Sequence, residues 1–208
     1  MAATQPTAVP PADLALEQAL IAGALPGELL GFDVDDRAAA ARLAEQALTA
    51  RTPMCAGIAI ETGTGSDGRR LMRLAVANDD MPFLVDSIAA VCAATDISID
   101  RILHPVLDAD GARISLIYME TERADAKRRS ALTTAIGTAL DDVRAAVSDW
   151  PSMQEALAQD ASAQDDGEAA ALLAWFYDGK LTLLGSAHYP ASGAIERPLG
   201  IARTLGDT

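Results

Sequence analysis

Three carboxylates lie close together in residues 78–87, which read NDDMPFLVDS. Asp79, Asp80 and Asp86 could bind a divalent metal or exchange protons, because carboxylate oxygens perform both roles. Their spacing lacks the alternate-residue pattern and the glycine of a calcium loop, so a metal-dependent α+β enzyme is the least favoured interpretation. The candidate effector or interface residues at this corner are Asn78, Asp79, Asp80, Met81, Pro82, Phe83, Asp86 and Ser87, with His104 as a further candidate.

The sequence around these acids predicts a corner at which a strand turns into a helix. Asp79 and Asp80 follow the alternating run RLAVAN, and Pro82 falls where the first turn of a helix would tolerate its missing N–H. We expect Asp80 to cap this helix by accepting a hydrogen bond from a free backbone N–H. Such N–H groups can also bind an anion, but only where side chains leave them open.

A glycine-rich run at residues 63–68, GTGSDG, matches the G-x-G-x-x-G pattern of dinucleotide-binding loops. In those loops the glycines open a helix whose N-terminus holds the pyrophosphate. Here the next residues, 69–78, show the period of two that is typical of a strand. We therefore interpret the run as a hairpin loop, and we predict no catalytic, cofactor-binding or metal-binding residue in this chain.

The histidines and cysteines do not form a metal-binding pattern. His104 and His188 are far apart in sequence, and neither has a cysteine or second histidine nearby. Because Pro105 lacks an N–H, His104 is predicted to lie at a strand edge or bulge, where a structural role is favoured over a ligand contact. Cys55 and Cys92 are predicted to be buried, reduced thiols.

Composition limits the partners and the compartment. The 208 residues carry a net charge of −14, which disfavours nucleic acid and anionic membranes as partners. No basic residue precedes Arg37, as a secretory or transit peptide would require, and no apolar run could span a bilayer. We expect a cytoplasmic protein. Half of the residues are hydrophobic and only 4% aromatic, which indicates alanine-rich helices.

The periodicity of apolar residues predicts an α+β fold with a ferredoxin-like order of elements. In this order an antiparallel sheet carries helices on one face, preceded by N-terminal helices and followed by a C-terminal helix-strand extension. Asp33 or Asp35 is predicted to cap the second helix, and Pro151 to end the longest one, with Asp149 capping its successor. The predicted helices span residues 12–23, 35–51, 82–95, 124–150, 151–159 and 168–178, and the strands span 56–62, 69–78, 97–107, 112–120 and 181–190.

Four ordered motifs resemble the N-terminal region of the large NAD-specific glutamate dehydrogenases of bacteria. They extend from about residue 70 to residue 189, and the first 55 residues carry little of the resemblance. The motifs are NDDMPFLVDS, the run ILHPVL at 102–107, DVRAAV at 142–147 followed by DWPSM at 149–153, and AWFYD at 174–178 followed by LTLLG at 181–185.

The resemblance implies an ACT-like regulatory module whose hydride-transfer chemistry, with its NAD, lies in a separate catalytic domain. Lys127 and Lys180 are the only lysines, so the substrate-binding lysine cluster of that catalytic domain is absent from this chain. Free-standing ACT modules that bind amino acids often carry a glycine where this chain has Phe83. Leu181 and Leu183 also stand where the family pattern has phenylalanines.

Two functions remain as hypotheses. The first is a non-catalytic regulatory and assembly module that contacts other domains or subunits of the same enzyme. The second is a sensor that binds an amino-acid effector at residues 78–87, with His104.

The resemblance divides the chain into an N-terminal arm with helices at 1–54, an ACT-like domain at 55–150 and a linker with a strand at 151–208 that leads to a further domain. Residues 1–11 are expected to form a loose arm.

Overall fold

The computed structural model describes residues 12–25, 27–109, 111–190 and 196–203, so the predicted loose arm lies outside the described part. The chain forms two compact units. Unit 1 comprises Met1–Asp80 and Ile88–Gly137, and unit 2 comprises Met81–Ser87 and Thr138–Thr208. The division of the chain into domains at residues 54 and 150 stays a prediction.

The described elements follow the predicted order from α1 to α3 and depart from it at three later places. In chain order they are α1 (Ala12–Ala22), α2 (Val34–Ala50), β1 (Gly57–Thr64), β2 (Arg70–Asp79), α3 (Leu84–Ala94), β3 (Ile99–Leu103), β4 (Val106–Ala109), β5 (Ala112–Glu122), α4 (Ala126–Ala163), α5 (Gly167–Trp175), a π-helical turn (Phe176–Lys180), β6 (Gly185–His188), β7 (Glu196–Gly200) and a 3₁₀ turn (Ile201–Arg203).

An antiparallel sheet forms the centre of unit 1, with strand order β1-β2-β5-β3 and β4 paired to the remaining length of β5. The predicted α+β class and ACT-like sheet are therefore confirmed. The predicted strand at 97–107 is divided into β3 and β4 at His104 and Pro105, because proline cannot donate to the ladder.

The N-terminal helices α1 and α2 belong to this unit. Leu20, Leu43 and Ala47 from α1 and α2 belong to one hydrophobic cluster with sheet residues such as Ala75 and Tyr118. A Cβ atom at position 57 would overlap the carbonyl oxygen of Ala47, so glycine is required where β1 passes α2. Asp33 caps α2 as predicted, since its Oδ1 accepts from the backbone N–H groups of Asp35 at 3.0 Å and Asp36 at 3.1 Å.

Both faces of the central strands are buried. Side chains alternate between the faces of a strand, so Ala75 and Ala77 of β2 lie on the α2 side. Met72, Leu74 and Val76 lie on the opposite side and are fully buried as well. A strand that is buried on both sides loses the polar alternation that normally marks a half-exposed strand.

Helix α4 continues where the sequence predicts a break. It runs through Pro151, and Met153 in the following turn is buried, so apolar burial favours continuation over the hydrogen bond that proline removes. Asp149 is consequently not a helix cap. Its Oδ2 accepts from the backbone N–H of Gly200 at 2.7 Å and from Arg203 Nε at 2.9 Å, which joins α4 to the end of β7 within unit 2.

The C-terminal part of unit 2 contains a small hairpin. The strand predicted at 181–190 is confined to β6, which pairs with β7 in antiparallel fashion. Strand β7 lies in a tail that the sequence predicts to be irregular, because its residues, ERPLG, show no alternation and include a proline. Helix α5 has no buried residue in the described part of the chain.

Candidate functional site

The corner at residues 78–87 has an unusual backbone. Strand β2 ends at Asp79, residues 82 and 83 form a turn, and α3 begins at Leu84. Pro82 therefore precedes the helix, whereas the sequence predicts it in the first turn. Phe83 adopts φ +71°, a left-handed conformation that glycine tolerates and that other side chains adopt at a cost of about 1–2 kcal/mol.

Asp80 does not cap the helix, contrary to the prediction. Its backbone N–H donates to the carbonyl of Arg113 at 2.9 Å, so the residue still follows the ladder with β5. Its carboxylate accepts from Ser115 Oγ at 2.8 Å and lies 3.2 Å from Arg113 Nη2. The side chain is thus held by the neighbouring strand and does not reach the start of α3.

Asp80, Ser115 and His104 form a chain of hydrogen bonds at this end of the sheet in unit 1. His104 Nε2 lies 3.0 Å from Ser115 Oγ. Because the single hydroxyl proton of Ser115 is donated to Asp80, Ser115 can only accept from His104, so Nε2 carries a proton. Partial desolvation lowers the pKa of His104, while the charge of Asp80 acts in the opposite direction.

The remaining acids and the amide at the corner have structural partners or point to solvent. Asn78 is buried and its Nδ2 donates to the carbonyl of Asp79 at 2.9 Å. Asp79 Oδ1 forms an ion pair with Arg51 Nη1 at 2.6 Å. Asp86 is exposed. The three carboxylates of NDDMPFLVDS are therefore not arranged around one metal ion, and the described residues contain no group of three potential metal ligands.

Pro82 and Phe83 line a groove within unit 2 with a volume of about 340 Å³. The other lining residues come from the middle of α4 and from the segment before β6: Ala146, Val147, Trp150, Pro151, Thr182, Leu183 and Leu184. No residue in this lining carries a charge, and its only polar side-chain groups are the hydroxyl of Thr182 and the indole N–H of Trp150. The groove fits an apolar group, whereas a zwitterion would lose its hydration there without a charged partner.

The glycine-rich run and the two cysteines lie in parts of the structure that explain them without a ligand. Gly63 and Gly65 lie at the β1–β2 hairpin, so the dinucleotide-like run opens a strand and not a helix, as predicted. Cys92 is buried, and burial raises the pKa of its thiol. Cys55 is exposed, which corrects the prediction, because it lies in the loop between α2 and β1. None of the described helices could span a membrane.

Sequence reasoning missed a buried polar network beneath α2. Arg73 Nη2 forms an ion pair with Asp36 Oδ1 at 2.7 Å, and both side chains are nearly inaccessible. Hydrogen bonds from Ser66 and the charge of Arg73 outweigh the effect of burial and lower the pKa of Asp36. On β5, Tyr118 Oη donates to Glu120 Oε1 at 3.0 Å. One signal in the sequence could have indicated this network: Arg73 is a charged residue within a strand, β2, whose neighbouring positions are apolar.

A second arginine completes the network. Arg101 Nε donates to Glu120 Oε2 at 2.8 Å, and its guanidinium lies 4.6 Å from the ring centroid of Phe32. Burial and the neighbouring carboxylate of Glu120 raise the pKa of Tyr118 far above its usual range, so the phenol stays neutral. Each charge in the network has an opposite partner, which is the arrangement of a structural network and not of a reactive group.

Comparison with known families gives one match. The family model described as "Glutamate dehydrogenase, ACT1 domain" matches residues 17–149, which is more than half of the chain. This range includes most of α1 and all of α2, although the first of the four sequence motifs begins at residue 78. No curated protein matches the chain.

Proposed function

Because the chain belongs to the family of glutamate dehydrogenase ACT1 domains, we propose that it is a regulatory and assembly module of a bacterial, cytoplasmic, NAD-dependent glutamate dehydrogenase. In this proposal the whole enzyme converts glutamate and NAD into 2-oxoglutarate, ammonia and NADH. NAD binds in a catalytic domain outside these 208 residues, and this chain carries no catalytic residue. The family match is the observation that carries the proposal.

A segment of unit 2 that carries six exposed apolar side chains supports the assembly role. We call it the 172–189 surface, and its members are Leu172, Trp175, Tyr177, Leu181, Leu184 and Tyr189. Trp175 is 50% and Tyr189 is 70% exposed. Exposed aromatic and aliphatic groups are typical of a surface that another protein region covers when they form one patch. The proposed partners are other domains or subunits of the same enzyme.

Substitution on this surface tests the assembly role. In the enzyme that contains this chain, Trp175→Ser is expected to weaken subunit or domain association, as measured by sedimentation velocity and by thermal stability. Val34→Ser is the matched control, because Val34 is 70% exposed but lies in unit 1. The assembly role is wrong if Trp175→Ser and Val34→Ser leave both measurements equally unchanged.

An activity assay tests the non-catalytic assignment. The purified chain is mixed with glutamate and NAD, and NADH formation is followed by absorbance. We expect none, since the chain offers no substrate-binding lysine cluster. Production of NADH that depends on the chain would overturn the assignment.

A second candidate is an amino-acid sensor at the corner. Phe83 supports it, because its φ of +71° retains the backbone shape that a glycine would adopt at this position. The uncharged lining of the adjacent groove opposes it. Calorimetry with the common amino acids at millimolar concentration decides between the two functions. Binding that Phe83→Gly strengthens would favour the sensor, and no heat with any amino acid would remove it.

A further inference from the structure

A small basic depression lies at the far end of the sheet in unit 1, where β1 ends and β2 begins. Its volume is about 220 Å³, and it is lined by Thr62, Gly63, Thr64, Arg70 and Arg123. It is lined by no acid and by no large apolar residue. In a chain with 30 acidic and 16 basic residues, a depression lined only by arginines and small polar residues is unusual.

The strand register places these residues side by side. Thr64 is paired with Arg70 across β1 and β2, and Thr62 is paired with Met72. Because side chains alternate between the faces of a strand, both threonines lie on the same face as Arg70. Leu71 is paired with Glu122, so Arg123, the next residue after β5, follows on beside Arg70.

Neither arginine is neutralised within the part of the chain that the structure describes. The guanidinium groups of Arg70 and Arg123 are exposed and form no ion pair or hydrogen bond with a described residue. The arginines around them differ: Arg69 is paired with Asp100 at 3.0 Å, and Arg73 is paired with Asp36. Two like charges on adjacent strands repel each other, so the pair is unfavourable unless an anion joins it.

We propose that this depression binds a small oxyanion, a carboxylate or a phosphate, between the two guanidinium groups. Each guanidinium presents parallel N–H donors that match the oxygens of such a group. The hydroxyls of Thr62 and Thr64 add two neutral donors at the same place. The proposal does not depend on the family, since it rests on the lining and on the register alone.

The site also gives a different meaning to the glycine-rich run. Thr62, Gly63 and Thr64 overlap the start of that run, yet no helix N-terminus follows to hold a pyrophosphate. Gly63 is paired with Leu71 and lies on the opposite face, where a Cβ atom would come within 2.5 Å of Arg73 Nη1. The anion would therefore be held by arginine side chains and not by a phosphate-binding loop.

Titration calorimetry of the purified chain with 2-oxoglutarate, and separately with inorganic phosphate, tests the proposal. Loss of one guanidinium removes charge-assisted hydrogen bonds, so Arg70→Ala and Arg123→Ala are each expected to weaken binding by about tenfold. Arg70→Lys keeps the positive charge but lacks the parallel N–H donors of the guanidinium, so an intermediate loss of affinity is expected. Arg42→Ala is the matched control, because Arg42 is exposed on α2 and does not line the depression. Circular dichroism verifies that each variant is folded.

The outcomes separate the sources of the anion. Binding of 2-oxoglutarate without phosphate identifies a carboxylate site, and the reverse identifies a phosphate site. Either result supports the proposal when Arg42→Ala leaves the affinity unchanged. Absence of binding for both anions at millimolar concentration overturns it, as does an equal loss in Arg42→Ala, which would indicate only a general effect of charge.

Discussion

The two units differ in how completely they bury their apolar side chains. In unit 1, β2 is buried from Leu71 to Asn78, and Leu116 and Tyr118 of β5 are inaccessible to solvent. In unit 2, α5 is strongly apolar in sequence, GEAAALLAW, and yet has no buried residue in the described part of the chain. Unit 1 thus has a complete core, whereas unit 2 exposes the kind of surface that normally forms a core or an interface.

This difference agrees with the proposed assembly role of unit 2. Burial of apolar surface is the main source of folding free energy, so unit 1 can account for its own stability. The described chain buries little of the 172–189 surface of unit 2. A partner that covered this surface would bury more of its apolar area. The proposed assembly contact would therefore involve unit 2.

The largest expected effect contrasts the same substitution in the two units. Leu116→Ala should lower the free energy of unfolding by about 3 kcal/mol, because it leaves a cavity in a core that is buried on both sides of the sheet. Leu172→Ala should change it by less than about 0.5 kcal/mol, because Leu172 is 52% exposed. Urea denaturation followed by circular dichroism measures both. Equal losses would mean that α5 is buried in the folded chain and that the contrast between the units is wrong.

Removal of the buried charge in unit 1 is the next largest effect. Asp36→Asn should lower the free energy of unfolding at neutral pH by about 2 kcal/mol, because it weakens the ion pair with Arg73 in a site that excludes water. Leucine at both positions should recover much of the loss, since apolar groups of similar volume can replace a buried pair. A double variant as unstable as the single one would contradict this assignment.

The same pair predicts a dependence on pH. The folded-state pKa of Asp36 is lowered, so the folded chain binds this proton less tightly than the unfolded chain, whose aspartate titrates near 3.8. The contribution of Asp36 is therefore fully present well above that value and is lost as the pH falls through the lowered pKa. The stability difference between the native chain and Asp36→Asn should shrink over this acid range. A difference that stays constant down to the lowest pH would contradict the lowered pKa.

The strained corner in unit 2 gives a smaller effect. Valine and asparagine are similar in size, but asparagine tolerates the left-handed conformation of residue 83 and a β-branched residue does not. Phe83→Asn should therefore be about 1 kcal/mol more stable than Phe83→Val, although valine suits the apolar groove better. The midpoints of urea denaturation measure this order. The reverse order would show that contact with the groove matters more than the backbone strain.

The sequence predicts the sheet and its helices well because the hairpin and helix periods are local signals. The period-two runs on either side of GTGSDG and the capping residue Asp33 each predict an observed feature. The course of α4 through Pro151 depends on the burial of Met153, and the position of Asp80 depends on its bonds to β5. Both are settled by contacts between residues far apart in sequence, which periodicity does not contain.

The smallest effect concerns the polar end of unit 1, where His104 is partly exposed. Its pKa, measured by NMR titration, should lie below the reference value of about 6.5, because partial desolvation disfavours the charged ring. Asp80→Asn should lower it further, since the charge of Asp80 is the opposing influence. The signal is assigned with His188→Gln, which removes the other histidine. A lowered folded-state pKa means that protonation favours the unfolded chain, so this residue reduces stability as the pH falls from about 6.5 through that pKa.

A measured pKa above 6.5 would reverse this sign. The charge of Asp80, relayed through Ser115 at 2.8 Å and 3.0 Å, would then outweigh desolvation, and protonated His104 would stabilise the end of the sheet. Ser115→Ala distinguishes the two cases, because it removes the hydroxyl between the ring and the carboxylate without changing any charge. If desolvation alone sets the pKa of His104, Ser115→Ala should change that pKa only slightly. If Asp80 sets it, the pKa of His104 should fall toward or below its reference value in this variant.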